Sequence, residues 1–123
     1  ARCRRSAKSL RAETLNIIGD VKGKRALLFD DEISTAGSLV SGVTALQRGG
    51  AIEVSACATH PGFCGPALER LAASAVGELV VTDTIPVAES NGLGKIVVLS
   101  VAPLLGEAIH RIHSGLSVGA MFE

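Results

Sequence analysis

Aromatic side chains make up only 2% of these 123 residues. A core built with so few of them is packed from aliphatic groups, which the apolar fraction of 47% supplies. No apolar run approaches the ~20 residues of a bilayer-spanning helix, which excludes a helical membrane span. The formal net charge is zero, so there is no general electrostatic case for a nucleic acid or a membrane as partner. Cys3, Cys57 and Cys64 are odd in number and show no CxxC or paired metal spacing. Reduced thiols in a cytoplasmic protein are the expectation. A Walker motif, an internal repeat and a linker are all missing, and the length suits a single domain over residues 1–123 with its own core.

Charge is balanced in total but not along the chain. Arg2, Arg4, Arg5, Lys8 and Arg11 stand in the first eleven residues, which contain no acid. This basic start, residues 1–11, has three readings: a transit peptide, a solvated tail, or a mobile loop ordered by a ligand.

The most informative stretch runs from Arg25 to Leu39 and reads RALLFDDEISTAGSL. Ala26, Leu27, Leu28 and Phe29 form an apolar run that ends in Asp30, Asp31 and Glu32. Ser34, Thr35, Ala36, Gly37 and Ser38 follow, and then a helical apolar pattern begins. This order fits a buried parallel strand, an acidic edge, a tight loop and a helix start, at the sheet edge where open α/β folds bind ligands. A helix start presents unpaired N–H groups and about half a positive charge, so it suits a phosphate. Gly37 allows close backbone approach, and Thr35 and Ser38 add hydroxyl donors. Adjacent carboxylates repel a phosphate and must face neutral hydroxyls or a divalent cation. A sugar phosphate meets both demands; a solvated acidic strand end is the plain alternative.

The same segment resembles the ribose 5-phosphate loop of the phosphoribosyltransferase superfamily. Flanking segments narrow the likeness to the ribose-phosphate pyrophosphokinase (PRPP synthetase) family: NIIGDVKGK from Asn16, ATHP from Ala58, GPA from Gly65, VVTDTIP from Val80, LSVAPLL from Leu99 and SVGAMF from Ser117. The resemblance covers essentially the whole chain but only the C-terminal half of the usual enzyme. It implies a three-layer, parallel-sheet type I phosphoribosyltransferase-like α/β domain. It implies that Asp30 and Asp31 bind the ribose 2- and 3-hydroxyls and that Ser34, Thr35, Ala36, Gly37 and Ser38 hold the 5-phosphate. The implied reaction moves the β,γ-pyrophosphoryl group of ATP to ribose 5-phosphate, with Mg²⁺, in a cytoplasmic oligomer whose partners include ATP/ADP. ATP-binding residues and the main metal ligands belong to the absent half, so no metal ligand is assigned here and the isolated chain is expected to be inactive.

Two departures matter. Ser34 stands where the family has a third acid. In the basic segment, the family's K-x-R places Arg5 on the catalytic arginine and Cys3 on the lysine, with Arg2 or Arg4 able to substitute in a shifted register. A thiol cannot replace an ammonium beside transferring phosphate, a loss of roughly 10²–10³ in rate on the scale of other charge stabilisers. A non-catalytic regulatory subunit and a simple phosphoribosyltransferase are the alternatives. A receiver domain is rejected: its separate phosphoacceptor Asp and late Lys are missing.

Pattern reading predicts strands at 13–18, 25–29, 52–59, 78–82 and 96–99, and helices at 36–48, 65–74 and from 101 to about 114. Leu39, Val43 and Leu46 are the expected inner stripe of the first helix, and Leu68, Leu71 and Ala72 of the second. Gly92-Leu93-Gly94 precedes a strand and lacks a third Gly, so it is no dinucleotide fingerprint. His60 and the strand end Thr82-Asp83-Thr84 lie on the expected ligand edge. His110 and His113 lack a third metal ligand nearby.

Overall fold

The apolar run after Arg25 forms a strand, but the strand does not stop where the apolar residues stop. In this computed structural model, which describes residues 17–88 and 93–122, β1 spans Arg25–Ile33 and takes in all three acids. Its partner β2, Glu53–Pro61, stays in register to the end: Asp30 opposite Ala58, Glu32 opposite His60, Ile33 opposite Pro61. A parallel ladder is made by backbone groups, which are indifferent to side-chain charge where both strands reach solvent. The predicted end at Phe29 is therefore four residues short.

Chain order continues with α1, Gly37–Arg48, then after β2 come α2, Ala67–Ala73, β3, Leu79–Thr82, β4, Ile96–Leu99, and α3, Ala102–His113. A 3₁₀ turn, Gly119–Met121, follows. The four strands form one parallel sheet in the order β1-β2-β3-β4, the α/β arrangement expected from strand–helix alternation. Residues 17 and 18 belong to no strand, and the rest of the predicted strand at 13–18 lies outside the described residues.

The core is aliphatic and sits between the sheet and the first two helices. Val54, Ala56 and Ala58 of β2 and Leu79 and Val81 of β3 meet Leu39 and Val43 of α1 and Ala67 and Leu71 of α2. Leu46 is half-buried, while Ala72 faces solvent and Ala67 takes the inner place assigned to it. Leu27 and Phe29 on β1 and Leu99 on β4 are exposed, Phe29 to 77%. Leu104, Leu105, Ile109 and Ile112 make the apolar face of α3 that the periodicity predicts, yet α3 has no buried residue. No helix among the described residues is long and apolar enough to cross a membrane.

Candidate functional site

The loop between β1 and α1 is built around one residue in an unusual backbone conformation. Ala36, just ahead of the helix, has φ 59° and ψ 11° and is 4% exposed. That left-handed geometry is uncommon for a residue with a Cβ and marks a backbone held by its surroundings. Ala36 holds the helix-cap place, with no side-chain capping bond. Among the described residues the N–H groups of Thr35 to Leu39 have no acceptor, as expected of a first helical turn.

The carbonyls of the loop are held from the side of α2. Phe63 N–H donates to Ile33 O at 2.9 Å and Cys64 N–H to Ser34 O at 2.7 Å. Arg70 Nη1 donates to Thr35 O at 3.0 Å. Three consecutive carbonyls are thus anchored to the segment after β2. Sequence reading missed Arg70; its signal was a cation on the stripe shared by Ala67 and Leu71 at helical spacing.

On the other side of the loop lies an open recess of about 120 Å³, lined by Asp30, Glu32, Ile33, Ser34, Thr35, Ala36, Gly37, Ser38 and Leu39. Pockets for drug-sized ligands run to ~300–1,000 Å³. This one suits a phosphoryl group and the edge of a sugar. Six of the seven residues expected to hold a sugar phosphate come together here. Asp31 does not, and Glu32 does. Successive strand side chains point to opposite sides, so extending β1 through the acids pairs Asp30 with Glu32 and sends Asp31 away. That alternation ends at Ile33, which turns into the core as the chain enters the loop. One oxygen of Asp30 accepts the N–H of Asp31 at 2.9 Å. The Glu32 side chain has no hydrogen bond or ion pair with the described residues.

Beside the recess, His60 Nδ1 lies 2.9 Å from Thr84 Oγ1. Thr82 and Thr84 both donate to Thr59 O, at 2.7 and 3.0 Å. Asp83 accepts the N–H of Val101 at 2.8 Å. Its bond with the Ser100 hydroxyl, and then this backbone bond, hold the Asp83 carboxyl below the usual carboxylate range. The strand end Thr82-Asp83-Thr84, expected at the sugar, is therefore bonded internally, and none of the three lines the recess. Arg4, Arg5 and Cys3 lie outside the described residues. Among the described residues no three His, Cys, Asp or Glu side chains gather as a metal site.

Residues 6–123 match the phosphoribosyl synthetase-associated domain family. A ribose-phosphate pyrophosphokinase of Caldanaerobacter subterraneus is 56% identical over 119 residues, covering 97% of this chain and 38% of its own. Ribose-phosphate pyrophosphokinase 2, chloroplastic, of Arabidopsis thaliana is 51% identical over 90% of this chain and 28% of its own. The crystal structure of phosphoribosylpyrophosphate synthetase from Mycobacterium smegmatis superposes with a TM-score of 0.76 at 40% identity, over 80% of this chain and 33% of that one. The chain thus spans 28–38% of the length of these relatives. The expected half of the usual enzyme is nearer a third, and these matches give no support to a place at the carboxyl end.

Proposed function

Because this chain belongs to the phosphoribosyl synthetase-associated domain family, we propose that it is the ribose 5-phosphate-binding part of a ribose-phosphate pyrophosphokinase. The observation that carries the reading is the recess between Asp30 and Leu39, where a helix start with unpaired amides meets carboxylates at the end of β1. The 5-phosphate lies against Thr35, Ala36, Gly37 and Ser38, where amides, hydroxyls and the helix dipole favour an anion. Asp30 accepts from the ribose hydroxyls at the rim, with Asp31 beside it on the strand. Held at both ends, the sugar presents its 1-hydroxyl in one direction. Orientation of this kind carries much of the work in phosphoryl transfer, whose remaining demand is charge stabilisation.

That charge comes in part from Arg5, or from Arg4 in the shifted register, acting on the transferring β,γ-pyrophosphoryl group of ATP. Ser34 donates to the phosphate and serves as no base. A magnesium ion arriving with a nucleotide needs only one or two protein carboxylates beside its phosphate oxygens. The described residues gather no set of three, so the reading assigns its ligands chiefly to the remaining two thirds of the enzyme. In this reading magnesium neutralises phosphate charge, and the whole enzyme assembles as an oligomer.

The chain alone should give little or no PRPP from ATP and ribose 5-phosphate in a coupled assay. Adding the missing portion of a pyrophosphokinase as a separate polypeptide should restore synthesis. Normal synthesis by the chain alone overturns the division of labour. A second reading, a non-catalytic regulatory subunit, is favoured by the serine at position 34 and gains support if complementation leaves activity at zero while ribose 5-phosphate still binds.

A further inference from the structure

The three carbonyls behind the loop differ in what holds them. Ile33 and Ser34 accept from backbone N–H groups, which a side-chain substitution leaves in place. Thr35 accepts from Arg70, 35 residues further on, and this is a side-chain bond. A trans peptide points its C=O and the next N–H in opposite directions. A Thr35 carbonyl drawn toward α2 therefore turns the Ala36 N–H the other way. The lining of the recess includes Thr35, Ala36 and Gly37 but neither Phe63, Cys64 nor Arg70. Arg70 thus acts from behind the loop, and the amides it orients face the ligand side.

The guanidinium is also close in charge terms. Arg70 Nη1 lies 3.5 Å from where a Cβ on Gly37 would stand. Among the described residues its charge is in no salt bridge. An unneutralised cation beneath an anion seat strengthens the field there, an effect that solvent moderates because the Arg70–Thr35 contact is exposed.

We propose that Arg70 is a positioning residue for phosphate, fixing the Thr35–Ala36 peptide and lending its charge through the loop. This rests on the sugar-phosphate reading of the recess, but concerns only its phosphate end. It makes the β2–α2 segment part of the binding site without contact with the ligand.

The test is a titration of the 123-residue chain and its Arg70→Ala variant with ribose 5-phosphate and, separately, inorganic phosphate. Loss of one charge-assisted hydrogen bond should weaken both by a common factor of about ten. The affinity ratio of the two ligands should stay constant, because the sugar end is untouched. In the free variant the Ala36 amide signal should move, which a merely structural arginine elsewhere on α2 would not cause. Unchanged phosphate affinity, or loss confined to ribose 5-phosphate, overturns the proposal and leaves the sugar-phosphate reading standing. If the wild-type chain binds neither ligand, that reading falls and the proposal falls with it. Should Arg70→Ala fail to fold, Arg70→Gln removes the charge with less loss of packing and is read by the same two affinities.

Discussion

Glu32 stands against Gly62 at the ligand end of the paired strands β1 and β2. A Cβ on Gly62 would lie 3.4 Å from Glu32 Oε1 and 3.1 Å from the carbonyl oxygen of Ile33. The carboxylate can swing away, but the carbonyl is already held by Phe63 N–H. Gly62→Ala is therefore expected to destabilise the chain, by about 1–3 kcal/mol on the scale of overpacking. A urea midpoint equal to that of the wild type contradicts this.

The same corner separates the acids. Glu32 lines the recess and Asp31 does not. Glu32→Gln should weaken ribose 5-phosphate binding about tenfold, the scale of one hydrogen bond to a charged group. Inorganic phosphate, which has no hydroxyl pair to offer, should bind Glu32→Gln no more weakly than the wild type. Asp31→Asn should have the smaller effect on the sugar phosphate. Calorimetric titration of both variants decides the order, and a larger loss in Asp31→Asn contradicts the assignment of sides.

Ala36 tests the loop geometry itself. At φ 59° a glycine is unstrained, and a buried methyl is a small loss. Ala36→Gly should stay within about 1 kcal/mol of wild-type stability, strain relief offsetting unfolded-state entropy. Ala36→Val places a β-branched side chain in that conformation at a 4% exposed position and should cost about 1–3 kcal/mol. Equal unfolding midpoints for the two variants contradict the left-handed assignment.

Asp83 joins the end of β3 to the start of α3, through Val101 N–H and the Ser100 hydroxyl. Its folded pKa lies below its ordinary value of 3.8. The unfolded state therefore binds the proton more tightly, and the contribution to stability is present above pH 3.8 and lost as pH falls through the lower folded value. Asp83 is exposed, so the effect is small and salt-sensitive. Hydrogen exchange at Val101 should accelerate in Asp83→Asn relative to wild type at neutral pH, and the difference should vanish in stronger acid. A difference that persists unchanged at low pH contradicts the ionic origin of the tie.

Sequence alone made the sheet and the loop between β1 and α1 legible, for identifiable reasons. Parallel strands read as continuous apolar runs, and residues 26–29, 79–81 and 96–99 supply them, although β1 and β4 leave much of theirs exposed, against the buried strand expected at 26–29. Small residues and Gly37 ahead of an apolar helix mark the loop. The end of β1 was not legible, because its ladder continues through backbone groups that charge does not disturb. That hid the side on which each acid falls, and so concealed Glu32. Arg70 was hidden differently: its bond to Thr35 joins α2 to a loop far off in sequence. For α3, periodicity gave the apolar face of Leu104, Leu105, Ile109 and Ile112 but not its exposure, since what covers a face lies beyond the segment that bears it.

The most direct test of the sugar-phosphate site is an amide-resolved NMR titration of the isotope-labelled chain with ribose 5-phosphate up to millimolar concentration. Signals of Asp30, Glu32 and residues 34–38 should shift together with one saturation curve, with free ribose moving them far less. Signals in this segment that stay fixed while the ligand reaches millimolar concentration would contradict the account.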